Sequence, residues 1–129
     1  MYRPAILMGA FFAALAVILG AFGAHALKEV LSPDQLVTFE TGVKYQFYHS
    51  FALLAAGIIY GSFPFKQVRL SALFFIIGIL MFSGSLYLLT WLKMNEVVGL
   101  RGIGIITPIG GVFFILGWLM MILGMLKRK

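Results

Sequence analysis

Apolar residues fill four long stretches of the chain, and short polar segments separate these stretches. A helix needs about 20 predominantly apolar residues to cross a bilayer. By this measure the predicted spans cover residues 4–27, 45–61, 70–92 and 103–126. Because the connections are short, sequential helices are expected to be antiparallel neighbours. The pattern therefore predicts an all-α integral membrane protein, in which residues 1–129 form a single domain built as a four-helix transmembrane bundle.

The segment before the second span carries the signals of a helix start. Ser32 is a suitable N-cap, Pro33 suits the first helical position, and Gln35 completes a capping box. Apolar residues then recur at three- and four-residue spacing. We expect a short helix over residues 33–43 that lies in the outer membrane interface. The alternative is a plain extension of the second-span helix into water.

The first and fourth spans each have an alternative interpretation. Arg3 before an apolar run and the Ala-x-Ala sequence at 24–26 resemble a secretory signal. The apolar run is longer than the core of a signal, which has about 7–15 residues, so a retained helix is favoured. In the fourth span, Pro108 favours a kink or a helix start just before it. The alternative there is a loop over residues 99–104 and a helix that begins near Thr107.

Composition supports a lipid environment and excludes other classes of protein. The chain is 62% hydrophobic and 11% charged, with a mean hydropathy of +1.05, whereas soluble domains are about 25% charged. The net charge of +6 is scattered between apolar runs and forms no basic stripe, so no nucleic acid partner is expected. There is no cysteine, so the redox compartment cannot be inferred.

Basic residues near the ends of the spans predict the orientation. Six lie on the side that holds both termini and the middle loop: Arg3, Lys66, Arg69, Lys127, Arg128 and Lys129. The other side has four basic residues and all the acids: Lys28, Lys44, Lys93 and Arg101 with Glu29, Asp34, Glu40 and Glu96. Both termini are therefore expected in the cytoplasm, with the basic face on anionic lipid.

Small residues at heptad-like spacing predict the faces on which the helices pack. They are Gly9, Ala13, Ala16, Gly20 and Gly23 in the first span, Ser71, Gly78 and Ser85 in the third, and Gly110, Gly117 and Gly124 in the fourth. Seven-residue spacing favours left-handed crossings near about +20°. These faces exceed what the contacts within one chain need, so the expected partners are the lipid bilayer and further copies in a homo-oligomer.

The candidate binding site is a cluster of polar side chains in the outer halves of the spans, because the cytoplasmic halves are almost free of them. Polar groups inside a bilayer are costly without partners, and ionisable ones are functional candidates. Helical spacing places Tyr45 and His49 on one face of the second helix and Ser83 and Tyr87 on one face of the third. The direction of His25 is left open. The candidate residues are His25, Tyr45, His49, Ser83, Tyr87 and Thr107.

Three functions are open for this cluster. Its members could satisfy one another and organise the bundle, line a pocket for a lipid, quinone or other lipid-like amphiphile, or serve redox chemistry or ion conduction. The expected function is that of a non-enzymatic membrane protein whose cluster organises the bundle and holds a lipid-like amphiphile. A haem- or quinone-binding redox protein and a small channel or transporter are the alternatives.

No cofactor and no metal ion are expected at the cluster. Haem needs two axial imidazoles at similar depth, whereas His25 lies near the end of its helix and His49 lies several residues into its span. At about 1.5 Å of rise per residue, that offset amounts to several ångström. Two histidines without an intramembrane carboxylate are also short of ligands for a metal.

Four motifs, in order along the chain, resemble those of one family. They are residues 20–27 (GAFGAHAL), 44–54 (KYQFYHSFALL), 81–89 (MFSGSLYLL) and 106–111 (ITPIGG), the last followed by Gly117 and Trp118. They resemble the domain of unknown function 423 family, also called uncharacterised protein family 0382, with eukaryotic relatives named transmembrane protein 256. The resemblance implies a multi-pass plasma membrane protein of a bacterium with about four helices, and it implies no activity. Its motifs include His25, His49, Ser83, Ser85, Tyr87 and Thr107.

Overall fold

A computed structural model describes residues 1–95 and 101–127, and all regular secondary structure within these ranges is helical. The predicted all-α class is confirmed. Glu96, Arg128 and Lys129, three of the charges that predict the orientation, lie outside the described residues. The helices within the described ranges are α1 (Arg3–Leu27), α2 (Pro33–Ile59), α3 (Lys66–Met94) and α4 (Arg101–Leu126).

Three of these helices are long and apolar enough to cross a membrane. Over their most apolar windows, α1, α3 and α4 have mean hydropathies of 2.5, 2.3 and 2.3. α2 is equally long at 27 residues, but its first half carries charged residues such as Asp34, Glu40 and Lys44, which lower its hydropathy. The structure thus supports a membrane protein with several spans, and α2 differs from the other three helices in composition.

α2 begins where the sequence predicts. Ser32 is the N-cap, and its side chain accepts a hydrogen bond from the Gln35 backbone N–H while the Gln35 side chain accepts one from the Ser32 backbone. The predicted capping box with Pro33 at the helix start is confirmed. From Pro33 to Ile59 the helix is continuous, so the predicted short helix over 33–43 and the predicted second span form one element.

α4 begins two residues before the predicted fourth span, which starts at residue 103. It is helical from Arg101 onwards, and Pro108 lies inside it. The alternative in which the helix begins near Thr107 is therefore wrong, and residues 99 and 100 of its predicted loop lie outside the described residues. Pro108 is about two turns from the start of α4, where a proline removes one backbone hydrogen bond and crowds the carbonyl of the residue four positions before it.

The helices pack in chain order, each beside the next. α1 lies along α2 and α4 lies along α3, while α2 and α3 form the middle of the molecule. The larger apolar core includes Phe12 of α1, Leu53 of α2, Phe75 of α3 and Phe114 of α4. α1 and α4 each have one principal neighbour, so both present a broad apolar surface outwards.

Glycines at seven-residue spacing allow α4 to approach α3 closely. A Cβ atom added at Gly110, Gly117 or Gly124 would come within 3.0 Å of an α3 atom. The three positions face Phe82, Phe75 and Val68 in turn, so the spacing is the same on both antiparallel helices. The predicted contact face of the fourth span is confirmed.

Glycines also allow the close approach of α1 and α2. A Cβ at Gly9 would lie 2.8 Å from the Ser50 carbonyl oxygen, and one at Gly23 would lie 2.3 Å from the Phe39 ring. Gly57 of α2 faces Ile6 in the same way. The predicted stripe of small residues in the first span is therefore a packing face against α2.

α3 contains a π-helical turn, Ile79–Ser83, between its α-helical parts Lys66–Gly78 and Gly84–Met94. This turn lies where α4 comes nearest, because a Cβ on Gly110 would be 2.4 Å from the Phe82 backbone nitrogen. π-helical turns are rare and often occur at functional sites. Ser83, at the end of the turn, is fully buried against α2.

Candidate functional site

Gln46 of α2 links three helices through its side-chain amide. Its Nε2 donates to the carbonyl oxygen of Phe12 in α1 at 2.8 Å, and its Oε1 accepts from the Tyr87 hydroxyl of α3 at 2.7 Å. The residue is 1% exposed. Because the Phe12 carbonyl can only accept, the orientation of the amide follows from its partners. Both functional groups of this buried side chain are satisfied within the protein.

A second polar contact lies beside the first, between α2 and α3. The Ser83 hydroxyl donates to the Gly42 carbonyl oxygen at 2.7 Å. The Tyr87 ring covers Gly42, where an added Cβ would lie 2.8 Å from the ring. The absence of a side chain at Gly42 therefore lets α3 come close enough for both hydrogen bonds to α2.

Ser85 and Thr107 join α3 to α4. The Ser85 hydroxyl donates to the Phe82 carbonyl oxygen at 2.9 Å and is also hydrogen-bonded to the Thr107 hydroxyl. A hydroxyl has a single proton to donate, so Thr107 is the donor to Ser85. Ser85 is buried, and this pair satisfies the two polar groups beside the π-helical turn.

His49 of α2 is buried between α3 and α4. Its Nδ1 lies 2.8 Å from the Tyr45 carbonyl oxygen, and the Trp118 indole N–H donates to its Nε2 at 3.1 Å. An indole N–H can only donate, so Nε2 must accept and the proton resides on Nδ1. The ring stacks on Phe114 with centroids 3.5 Å apart. The geometry therefore fits a neutral imidazole with both nitrogens engaged.

The groups around His49 form one wall of an open cleft between α2 and α4. Its volume is about 470 Å³. Tyr45 at 39% exposure and Trp118 at 43% stand at its mouth. We call this feature the α2–α4 cleft, and its lining consists of Tyr45, His49, Phe82, Pro108, Gly111, Val112, Phe114, Ile115 and Trp118. It is an aromatic and aliphatic surface with few polar atoms.

The structure distributes the six predicted site residues over four environments. Tyr45 and His49 line the α2–α4 cleft, and Ser83 and Tyr87 face α2. Thr107 pairs with Ser85. His25 is exposed near the end of α1, on a face whose other members, including Ile18, are also exposed. Five of the six predicted residues thus occupy the region between α2, α3 and α4, and His25 lies outside it.

Histidine ligation of haem finds little support in this arrangement. His25 is exposed on an outer helix. His49 is buried, and its two nitrogens are hydrogen-bonded to the Tyr45 carbonyl oxygen and the Trp118 indole. Iron at His49 would have to displace the Trp118 indole. Among residues 1–95 and 101–127 there is no group of three or more His, Cys, Asp or Glu side chains that could hold a metal ion.

Two central residues are missing from the predicted site, namely Gln46 and Trp118. Gln46 lies one residue from the predicted face of α2, and with Ser50 and Gly57 it forms a polar and small stripe at spacings of four and seven residues. This stripe is the pattern in the sequence from which the inward position of Gln46 can be predicted. Trp118 lies in the second half of α4, away from the polar outer halves of the spans, and only the packing of α4 reveals its contact with His49.

Comparisons with known proteins agree with the motifs. Residues 19–111 match the family model described as Protein of unknown function (DUF423). The chain is 47% identical to a UPF0382 membrane protein of Staphylococcus saprophyticus over 95% of this chain and 96% of that relative. For a UPF0382 membrane protein of Haemophilus influenzae the identity is 39%, over 99% and 95% of the two chains. For one from Bacillus subtilis, named YwdK, it is 37% over 95% of each. No solved structure matches the chain.

Proposed function

The chain belongs to the DUF423 family of membrane proteins, as its motifs indicate, and we propose that it binds an amphiphile with an uncharged head group in the α2–α4 cleft. The observation that carries the proposal is the cleft itself, an open aromatic surface of about 470 Å³ on the flank of a membrane protein. Pockets of about 300–1,000 Å³ with apolar walls and few polar groups are typical of small-molecule sites. Binding without catalysis is the proposed role.

We further propose that α2 crosses the membrane and that both termini lie in the cytoplasm. In the half of α2 after Lys44, the strongly polar side chains Gln46 and His49 are buried and hydrogen-bonded. The large exposed side chains of that half are aromatic or aliphatic, as with Phe51 and Ile58. Lipid therefore meets an apolar surface, although the average hydropathy of the helix is low. Polar groups in a membrane are tolerated when they face the protein interior.

Cysteine labelling tests this topology, and the chain has no native cysteine. Glu29 and Ser62 are exposed and lie beyond opposite ends of α2. In intact cells, a membrane-impermeant maleimide is expected to label Glu29→Cys fully and to label Ser62→Cys only after lysis. Labelling of both variants from the same side would show that α2 does not cross the membrane.

The lining of the cleft selects the chemistry of the ligand. Among the described residues its lining contains no Lys or Arg side chain, so none of them offsets the cost of bringing in an anionic head group. The His49 nitrogens are engaged, and within the described residues the Tyr45 hydroxyl has no hydrogen-bond partner. A neutral head that accepts a hydrogen bond, such as a quinone or an ester carbonyl, fits this combination. Stacked rings of His49 and Phe114 offer a flat wall to it.

Gly111 provides a way to fill the cleft without disturbing the fold. An added Cβ there would meet only the Phe82 ring, at 3.9 Å, so Gly111→Leu places its side chain in the cleft. Gly104→Leu is the matched control, because it makes the same change on α4 where nothing lies within 4 Å. Both variants are expected to fold.

Tryptophan fluorescence reads occupancy of the cleft directly. The chain has two tryptophans, so a Trp91→Phe background leaves Trp118 alone. A short-chain quinone in detergent is expected to quench Trp118 saturably, and Gly111→Leu is expected to weaken the apparent affinity at least about tenfold, equivalent to 1.4 kcal/mol. Gly104→Leu should titrate like the parent. Equal quenching in all three proteins, or equal competition by phosphatidylglycerol, would contradict the proposal.

A further inference from the structure

A second recess lies at the opposite end of the molecule from the α2 capping box, between the start of α1 and the start of α3. It has a volume of about 290 Å³, and its lining comprises Tyr2, Lys66, Arg69, Leu70 and Leu73. Two cations and a phenol thus stand beside two leucines, which follow one another down α3. We call this feature the basic groove.

Tyr2 is held firmly in place at the groove. Its backbone N–H donates to the Gly57 carbonyl oxygen at 2.8 Å, and its ring packs on the Tyr60 ring with centroids 5.5 Å apart. The end of α2 therefore positions the residue that forms one wall of the groove. The groove is a feature of packed helices and not of a free chain terminus.

The cations of the groove have no carboxylate partner among the described residues. Glu29, Asp34 and Glu40, the acids that the structure describes, lie at or near the other end of α2. Further positive charge is close, because the Lys127 ammonium lies 5.8 Å from the Phe65 ring, next to Lys66. An uncompensated pair of cations at the end of a membrane span attracts anionic lipid.

We infer that the basic groove binds the phosphate head group of an anionic phospholipid, with Lys66 and Arg69 on the phosphate and one acyl chain along Leu70 and Leu73. The guanidinium of Arg69 can bind two phosphate oxygens, and Lys66 adds a point charge. The two leucines continue from the groove along the apolar part of α3. An acyl chain would cover this apolar surface, whereas a free phosphate would leave it uncovered. The inference depends only on α3 crossing the membrane and not on the α2–α4 cleft.

Native mass spectrometry with phosphatidylglycerol or phosphatidylcholine tests the groove. Lys66→Gln/Arg69→Gln is expected to weaken phosphatidylglycerol binding by roughly 25-fold, about fivefold for each cation, and to weaken binding of net-neutral phosphatidylcholine much less. The matched control is Lys28→Gln/Lys93→Gln, which removes two exposed cations from the other end of the molecule. That control is expected to keep wild-type affinity.

Three outcomes would overturn the inference. One is an equal loss in both double variants, which would show an effect of total charge alone. Another is undiminished phosphatidylglycerol binding without Lys66 and Arg69. The third is found in thermal unfolding. If millimolar inorganic phosphate stabilises the protein as much as phosphatidylglycerol does, the ligand is a free anion. Gly111→Leu fills only the α2–α4 cleft, so phosphatidylglycerol binding that persists in that variant separates the two sites.

Discussion

Replacing Gly110 by alanine is expected to destabilise the protein by about 2–3 kcal/mol, at the upper end of the cost of overpacking. The added methyl would lie 2.4 Å from the Phe82 backbone nitrogen and 2.8 Å from its Cα. Backbone atoms cannot rotate away, so α4 must move off the π-helical turn of α3. The Ser85–Thr107 hydrogen bond and the aromatic contacts of His49 with Phe114 depend on the same approach.

Gly104→Ala is the matched control for this prediction. It makes the same change on α4 where nothing lies within 4 Å, and it should raise stability by about 0.5–1 kcal/mol through helix propensity. Reversible unfolding in mixed detergent micelles, followed by circular dichroism, measures both variants. Equal stability of the two alanine variants would mean that α3 and α4 are not closely packed at the π-helical turn.

Gln46→Leu is expected to cost about 2–3 kcal/mol. Two interhelical hydrogen bonds disappear, each worth about 0.6 kcal/mol on average in a membrane. The Tyr87 hydroxyl also loses its acceptor in a buried setting, and an unsatisfied buried group costs about 1–3 kcal/mol. The control is Gln67→Leu, since the Gln67 Oε1 is buried without a partner among the described residues. That substitution should be neutral or stabilising in the same unfolding assay.

A double-mutant cycle with Tyr87→Phe isolates the hydrogen bond itself. Once the hydroxyl is gone, Gln46→Leu no longer leaves it unsatisfied, so the double variant should be more stable than the sum of the single losses by about 1 kcal/mol. Strict additivity would show that Gln46 and Tyr87 do not interact, which would remove one of the contacts between α2 and α3.

Local patterns in the sequence predict local features well. Ser32 and Gln35 form the expected capping box because a cap depends on residues a few positions apart. Gly110, Gly117 and Gly124 pack against α3 because a seven-residue repeat keeps one face of a helix on its neighbour. Both predictions need only the geometry of a single helix.

The candidate site depends on the rotation and depth of each helix against its neighbours, which the sequence does not give. Gln46 lies one position, or about 100° around the helix, from the face predicted through Tyr45. The π-helical turn Ile79–Ser83 changes which residues of α3 share a face, at the point where its polar residues begin. No residue pattern in the sequence predicts this turn. His25 is a polar residue on an exposed face, where periodicity alone could not assign a partner.

The proposed occupant of the α2–α4 cleft is an amphiphile with an uncharged head group. Native mass spectrometry of the protein released from its membrane in mild detergent detects such an occupant by its mass, and it also counts the protomers. We expect a stoichiometric non-protein mass of a neutral lipid or quinone on the wild type and on Gly104→Leu, and its loss from Gly111→Leu. A wild-type protein with no bound mass, or the same bound mass on all three proteins, would contradict binding in the α2–α4 cleft.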